Sequence, residues 1–228
     1  LNLEHAAHFS LGVEQKLLPA LTLDAQLYYM YRYDVIVPTD KVRFDGNAAK
    51  PLRVLNAGEG HSYGLELMLK HDVTRFFFGW LSYTLSQTRV RREDGGALLL
   101  FAFDQTHILT LVSSFRLGTG WELGARFRRV SGRPDTPTLG GVLDSDRRRY
   151  LPIQGEFRSD RLPLFHQLDL RVEKTWFFQL WRLAAYLDVQ NLYNAVNAEA
   201  TLFDYRFREK GYLRGLPLLP SLGIRGSF

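Results

Sequence analysis

Arginine, histidine and serine are the side chains here whose types suit chemistry, and their spacing sorts which chemistry that is. In GARFRRVSGRP, Arg126 and Arg128 fall on one face of an extended segment. That placement suits contact with an anion. It equally suits a ladder of ion pairs with Glu122 and Asp169 near Arg171 on neighbouring strands. A second group, Arg147, Arg148 and Arg149 followed by Tyr150, stands in DSDRRRYLPIQGEFRSD. Three guanidinium groups beside a phenol suit an anionic partner, and equally a solvated loop. The stretch ATLFDYRFREKGYLRG mixes aromatics with charges and reads as a hairpin and a further place for ligand contact.

Other chemistries lack their residues. The six histidines are scattered, and none has metal-ligand spacing with another histidine or a carboxylate on the same face. There is no cysteine, so disulfides and thiolate metal sites are out of reach. His107 and Ser113 share a strand face but lie roughly 20 Å apart along it, and no G-x-S-x-G occurs. We therefore expect no enzyme, no cofactor and no metal. The net charge of +5 hints at an anionic ligand. Acidic residues are interspersed and the only tight basic run is Arg147–Arg149, which argues against nucleic acid.

The elements that must position these residues repeat every two residues, not every 3.6. From Leu21, the residues Leu21, Leu23, Ala25, Leu27, Tyr29, Tyr31, Tyr33 and Val35 share one face, and Thr22, Asp24, Gln26, Tyr28, Met30 and Arg32 the other. The same alternation recurs around Phe9–Val13, Tyr63–Leu69, Phe77–Leu85, Leu109–Leu117, Trp121–Phe127, Leu168–Val172, Trp181–Val189 and Leu222–Phe228. This reads as nine strands. Short connections (Leu18–Ala20, His71–Arg75, Gly118–Gly120, Phe177–Leu180) alternate with long ones (Pro38–Asn56, Arg91–Ala102, Arg133–Pro163, Ala195–Pro217).

A soluble sandwich has no reason to gather every long loop at one end. A bacterial outer-membrane barrel has short periplasmic turns, long extracellular loops, and strands that are apolar outside and polar inside. No run approaches the roughly 20 apolar residues of a membrane helix, and mean hydropathy is −0.17. Trp121, Trp176, Phe177 and Trp181 gather by the short turns, and Tyr29, Tyr31 and Tyr33 towards the long loops. Two aromatic girdles are expected there. Aromatics make up 14% of the chain, and strand preference alone would enrich them without sorting them by height. Complete single-chain bacterial barrels have an even strand count, and open edges in lipid are costly. The nine strands are expected to belong to a larger barrel.

Several stretches in order then resemble the C-terminal barrel of a TonB-dependent outer-membrane receptor: NAGEGHSYGLELMLK, WLSYTLSQT, FDQTHILTLVSSFRL, WELGARFRRVSGRPDTP, LFHQLDLRVEKTW, YLDVQNLYNAVN and LPSLGIRGSF. The resemblance implies an all-β, antiparallel transmembrane segment, the last nine strands of a 22-stranded plugged barrel. It covers residues 1–228 as one domain, with plug and TonB box absent from this chain. It implies TonB-dependent import of a scarce ligand, an iron–siderophore complex first, cobalamin or another small nutrient next. Partners implied are outer-membrane lipid, the barrel-assembly machinery, the TonB complex, a small-molecule ligand, and the remaining strands and plug. In that setting Arg126 and Arg128 would meet plug or ligand, and Arg147–Tyr150 a siderophore or lipopolysaccharide. Leu222, Ile224 and Phe228 resemble an assembly signal read by strand addition. The alternative is a non-transporting structural or adhesive barrel segment.

Overall fold

The computed structural model describes residues 1–46 and 48–228. Nine long strands form one open antiparallel sheet in which each strand pairs with the next in sequence. They are β1 (His5–Leu18), β2 (Leu21–Pro38), β3 (Val54–His71), β4 (Phe77–Arg91), β5 (His107–Gly118), β6 (Trp121–Val130), β7 (Phe165–Phe177), β8 (Arg182–Gln190) and β9 (Leu219–Ser227). Leu98–Leu100 adds a short strand to the upper end of β4. There is no helix among the described residues.

Register carries the apolar face across the sheet. Leu11 stands opposite Leu27, Leu27 opposite Leu65 and Leu65 opposite Leu85. Farther on, Leu123 meets Val172, Val172 meets Leu187 and Leu187 meets Leu222. Among the described residues only Val37, Val130 and Ala184 are buried apolar side chains, while Leu11, Leu27, Leu111, Leu187 and Leu222 stand exposed. A water-soluble sheet would hide such a face. Here lipid is the medium that fits it.

The opposite face is polar and self-satisfied. Arg171 bonds to Glu173 at 2.8 Å, and Glu173 also accepts from Arg225 at 2.9 Å. The Arg171 guanidinium lies 3.9 Å from the Tyr186 ring centroid. Tyr186 in turn covers Gly223 directly across the β8–β9 pair, and Tyr28 covers Gly64 across β2–β3. A Cβ on Gly64 would stand 2.8 Å from the Tyr28 ring and hydroxyl, so the tyrosine needs the glycine.

The four short turns lie at one end of the sheet and the loops L1 (39–53), L2 (92–106), L3 (131–164) and L4 (191–218) at the other. In the turn between β5 and β6, Gly118, Thr119 and Gly120 all have positive φ (83°, 47° and 81°), which glycine tolerates without strain. The girdle residues of the short-turn end sit together. Lys174 stands between Trp121 (5.3 Å) and Trp176 (6.0 Å), and Phe178 stacks on Trp181 at 4.5 Å. At the loop end Tyr31 stacks on Tyr33 and on His61, and Tyr29 bonds to His61. Leu222, Ile224 and Phe228 are exposed at the β9 edge.

The loops hold more strand than the alternation of the sequence suggests. L1 contains the hairpin Val42–Asp45 with Ala48–Pro51, and L3 the hairpin Thr138–Asp144 with Arg149–Gln154. In L4, Ala198–Phe203 pairs with Lys210–Arg214, the hairpin expected there.

Candidate functional site

The loops are fastened to one another by a set of carboxylates, of which Asp104 is buried and Asp94 and Asp135 half-buried. In L2, Asp104 accepts from the Arg161 guanidinium of L3 at 2.7 Å, from the Thr88 backbone N–H at 2.7 Å and from the Thr106 hydroxyl at 3.1 Å. Its side chain is 1% exposed. L1 joins L2 through Lys41 and Asp94 at 2.5 Å, and that ammonium holds the Asp94 carboxyl below the usual carboxylate range. L3 joins L4 through the Thr201 hydroxyl, which donates to Asp135 at 2.7 Å, and through Tyr150 set edge-on to Tyr205 at 5.8 Å. The base of L4 is pinned by two asparagines. Asn191 is fully buried and bonds to Ala195 and Leu216, while Asn197 exchanges two bonds with the His166 backbone.

Where β2, L2 and L3 meet, a cavity of about 680 Å³ opens. Val35, Val37, Val90, Leu99, Phe101 and Phe157 give it apolar walls. Arg32 and Val90 continue the polar face of their strands, so the cavity looks onto the lumen side of the sheet. Four arginines line it, in two kinds. Arg32 is bonded to Glu4 at 3.1 Å and Arg91 to Glu59 at 2.7 Å. Arg92 and Arg158 meet no carboxylate among the described residues, and both lie against the Phe157 ring at 5.4 and 4.7 Å from its centroid. Glu93 lines the same cavity, exposed and without an ion-pair partner among the described residues.

Arg158 is held in place by its surroundings. Its φ of 56° is uncommon for a residue with a side chain. Its backbone N–H donates to the Thr136 hydroxyl at 3.0 Å, and its guanidinium donates to the Leu100 carbonyl. Burial, followed by the like charge of Arg92, pushes the Arg158 guanidinium below the usual arginine range. It remains a cation at neutral pH. Two cations held near each other beside an aromatic ring make a site that an anion would neutralise.

The arginines picked out from sequence occupy other places. Arg126 donates to Asp169 from Nε (2.9 Å) and Nη2 (2.6 Å), the ion-pair alternative. Arg128 lies over Phe165 at 5.6 Å and lines a smaller cavity of about 290 Å³ with Arg133. Arg147 and Arg148 form the exposed tip of the L3 hairpin, where the Arg147 N–H donates to Asp144 at 3.1 Å, and Arg149 stands opposite Asp144 in register. Arg92 and Arg158 were not singled out. No run or motif marks them, because what sets them apart is the lack of a carboxylate partner in space.

A family model described as "TonB dependent receptor-like, beta-barrel" matches residues 1–192. No curated protein matches the chain in sequence. Among solved structures it is similar to the ferric-catecholate import receptor Fiu of Escherichia coli, with 15% identity, a TM-score of 0.63, 98% of this chain and 27% of that one covered. It is similar to the ferric citrate transporter FecA at 19% identity and a TM-score of 0.63, over 97% of this chain and 31% of that one. It is also similar to the ferripyoverdine receptor of the outer membrane of Pseudomonas aeruginosa, at 13% identity and a TM-score of 0.59, over 98% and 27%. At these identities the likeness shows the fold, an antiparallel barrel wall. The chain spans under a third of the length of each of these three structures.

Proposed function

Because this chain belongs to the TonB-dependent receptor-like β-barrel family, we propose that it forms part of the wall and the extracellular mouth of an outer-membrane importer. The carrying observation is the Arg92–Phe157–Arg158 cavity, which L2 and L3 form with the upper ends of β2 and β4 at the long-loop end of a lipid-facing sheet. The ligand class we favour is a small anionic iron chelate with carboxylate or catecholate groups. Guanidinium groups beside an aromatic ring bind such groups by charge-assisted hydrogen bonds and stacking. The import reactions named for Fiu and FecA are of this class. Import itself needs the plug, the remaining strands and the TonB complex, which the whole receptor would supply. Arg126, Arg128 and Arg147–Tyr150 stand as further contacts for plug or ligand, and Leu222, Ile224 and Phe228 as an assembly signal.

The test is uptake of radiolabelled ferric citrate and of a ferric catecholate by cells relying on the full receptor. Wild type is expected to import one of them only when TonB is functional. R92A/R158A is expected to lower uptake at limiting ligand by tenfold or more, since each charged hydrogen bond contributes about 1.5–3 kcal/mol. TonB-independent uptake, or no uptake of any small ligand by a correctly inserted receptor, would favour a structural or adhesive segment instead.

A further inference from the structure

From β4 to β9 the lipid face of the sheet is charged in one sense only; on β3, Glu59 has the outward parity of His61 and answers Arg91 at the strand ends. Its outward residues there include Arg89, Arg129 and Lys174 and no aspartate or glutamate, while Glu122, Asp169, Glu173 and Asp188 all lie on the opposite face. Chance does not demand this segregation, and water-facing ion pairing cannot produce it. Arg91 is bonded to Glu59, but Arg89 and Arg129 meet no carboxylate among the described residues, and both are exposed. Arg89 donates only to Gln87, at 3.1 Å.

These cations share a height with three histidines. His61, Arg89, His107, Arg129 and His166 each stand eight to twelve residues from the short-turn end of their strand. At about 3.3 Å per residue and the tilt usual in such barrels, that is roughly 20–30 Å above the turns, the far edge of an apolar band about 25 Å tall. Each histidine is held in the same way. A tyrosine hydroxyl meets its Nδ1: Tyr29 with His61 at 2.7 Å, Tyr83 with His107 at 2.8 Å, Tyr193 with His166 at 2.8 Å. A phenol that donates to Nδ1 leaves the ring proton on Nε2, on the edge away from the tyrosine. With the phenols donating, the belt is rich in hydrogen-bond donors facing lipid, and the Gln87 amide oxygen on the same face is already taken by Arg89 and Tyr63.

We infer that this outward belt, with Arg89 and Arg129 as anchors and the Tyr–His pairs as added donors, docks the phosphate groups of outer-leaflet lipid headgroups. Charge complementarity selects the occupant. An arginine at the middle of the lipid face costs about 2–4 kcal/mol, but at the interface the cost falls to about 0–1. Phosphate oxygens at that level turn the residual cost into attraction, and the guanidinium fork matches them. The inference rests on the outer-membrane reading, which places the long-loop end outside. It is independent of the ligand cavity, which lies on the other face of the sheet.

The experiment uses the full receptor reconstituted in phosphatidylcholine vesicles. These carry a small fraction of a bis-phosphorylated glycolipid or of the same lipid with its phosphates removed, and lipid retained through purification is measured. Wild type is expected to retain the phosphorylated lipid preferentially. R89S/R129S is expected to retain about 25-fold less, from roughly fivefold per arginine near an anionic surface. R89K/R129K, which keeps the charge, should lose far less, and this separates docking from a folding defect. Equal retention of both lipids by wild type, or undiminished retention by R89S/R129S, would overturn the proposal. TonB-dependent uptake by the same variants reads the import function separately and is expected to persist in R89S/R129S.

Discussion

Replacing Asp104 by alanine is expected to release L2 and L3 together. The carboxylate is the shared acceptor for a guanidinium of L3, a backbone N–H of β4 and a hydroxyl of its own loop. Without it the Arg161 charge, 31% exposed, keeps only neutral acceptors, the backbone carbonyls of residues 104 and 132 and the Thr106 hydroxyl. Breaking a buried pair by removing one partner typically costs about 3–5 kcal/mol. The cost falls at the rim and not in the wall, because these bonds join loops to the strand end. Limited trypsin digestion of intact cells is the readout, since L2 and L3 carry the cleavable sites Arg92, Arg147–Arg149, Arg158 and Arg161. Cleavage in both loops should quicken by at least tenfold. D104N keeps the shape and one acceptor oxygen and should fall between. Cleavage of D104A at the wild-type rate would mean that the loops are held by something other than this carboxylate.

Asp169→Ala should weaken the wall itself. Asp169 accepts from Arg126 twice, from Gln167 at 2.7 Å and from the buried Asn191 N–H at 2.9 Å. The last bond couples β7 to the turn that starts L4. Removing the acceptor leaves one buried N–H and one half-exposed guanidinium unsatisfied, and we expect a loss of about 2–4 kcal/mol. The temperature at which the folded receptor converts to its unfolded gel mobility should drop by about 2–5 °C. R126A should cost less than D169A, because Asp169 keeps Gln167 and Asn191. A larger loss from R126A than from D169A would contradict this ranking.

How much of this was legible in the sequence follows from the media on the two sides of the strands. Where lipid lies on one side and a polar lumen on the other, the residues must alternate, and all nine wall strands could be read from that alternation. The upper ends could not. β3 begins at Val54, well before the alternation starts at Tyr63, and includes Gly58 and Gly60 opposite a register shift in β2. Above the membrane both faces meet polar surroundings, and the period-two signal fades. The hairpins of L1 and L3 were hidden for the same reason.

The cavity was harder to read than the wall. Arg147, Arg148 and Arg149 are conspicuous because they are adjacent. Arg92 and Arg158 are distant in sequence and become a pair only when L2 and L3 fold against each other. Arg158 and Arg161 are three residues apart in one loop, yet one reaches Asp104 and the other lies on Phe157. Which arginine finds an acid depends on side-chain reach in three dimensions, and neighbouring residue types do not encode it.

The most direct test of the central claim is the side of the membrane on which each end of the sheet lies. The chain has no cysteine, so single substitutions give unique labels within it. In the full receptor, with the unsubstituted receptor as background, R148C marks the L3 tip and T119C the turn between β5 and β6. A membrane-impermeant maleimide added to intact cells is expected to label R148C, and to label T119C only after the outer membrane is permeabilised. Labelling of T119C in intact cells, or protection of R148C there, would contradict a barrel wall with its long loops outside.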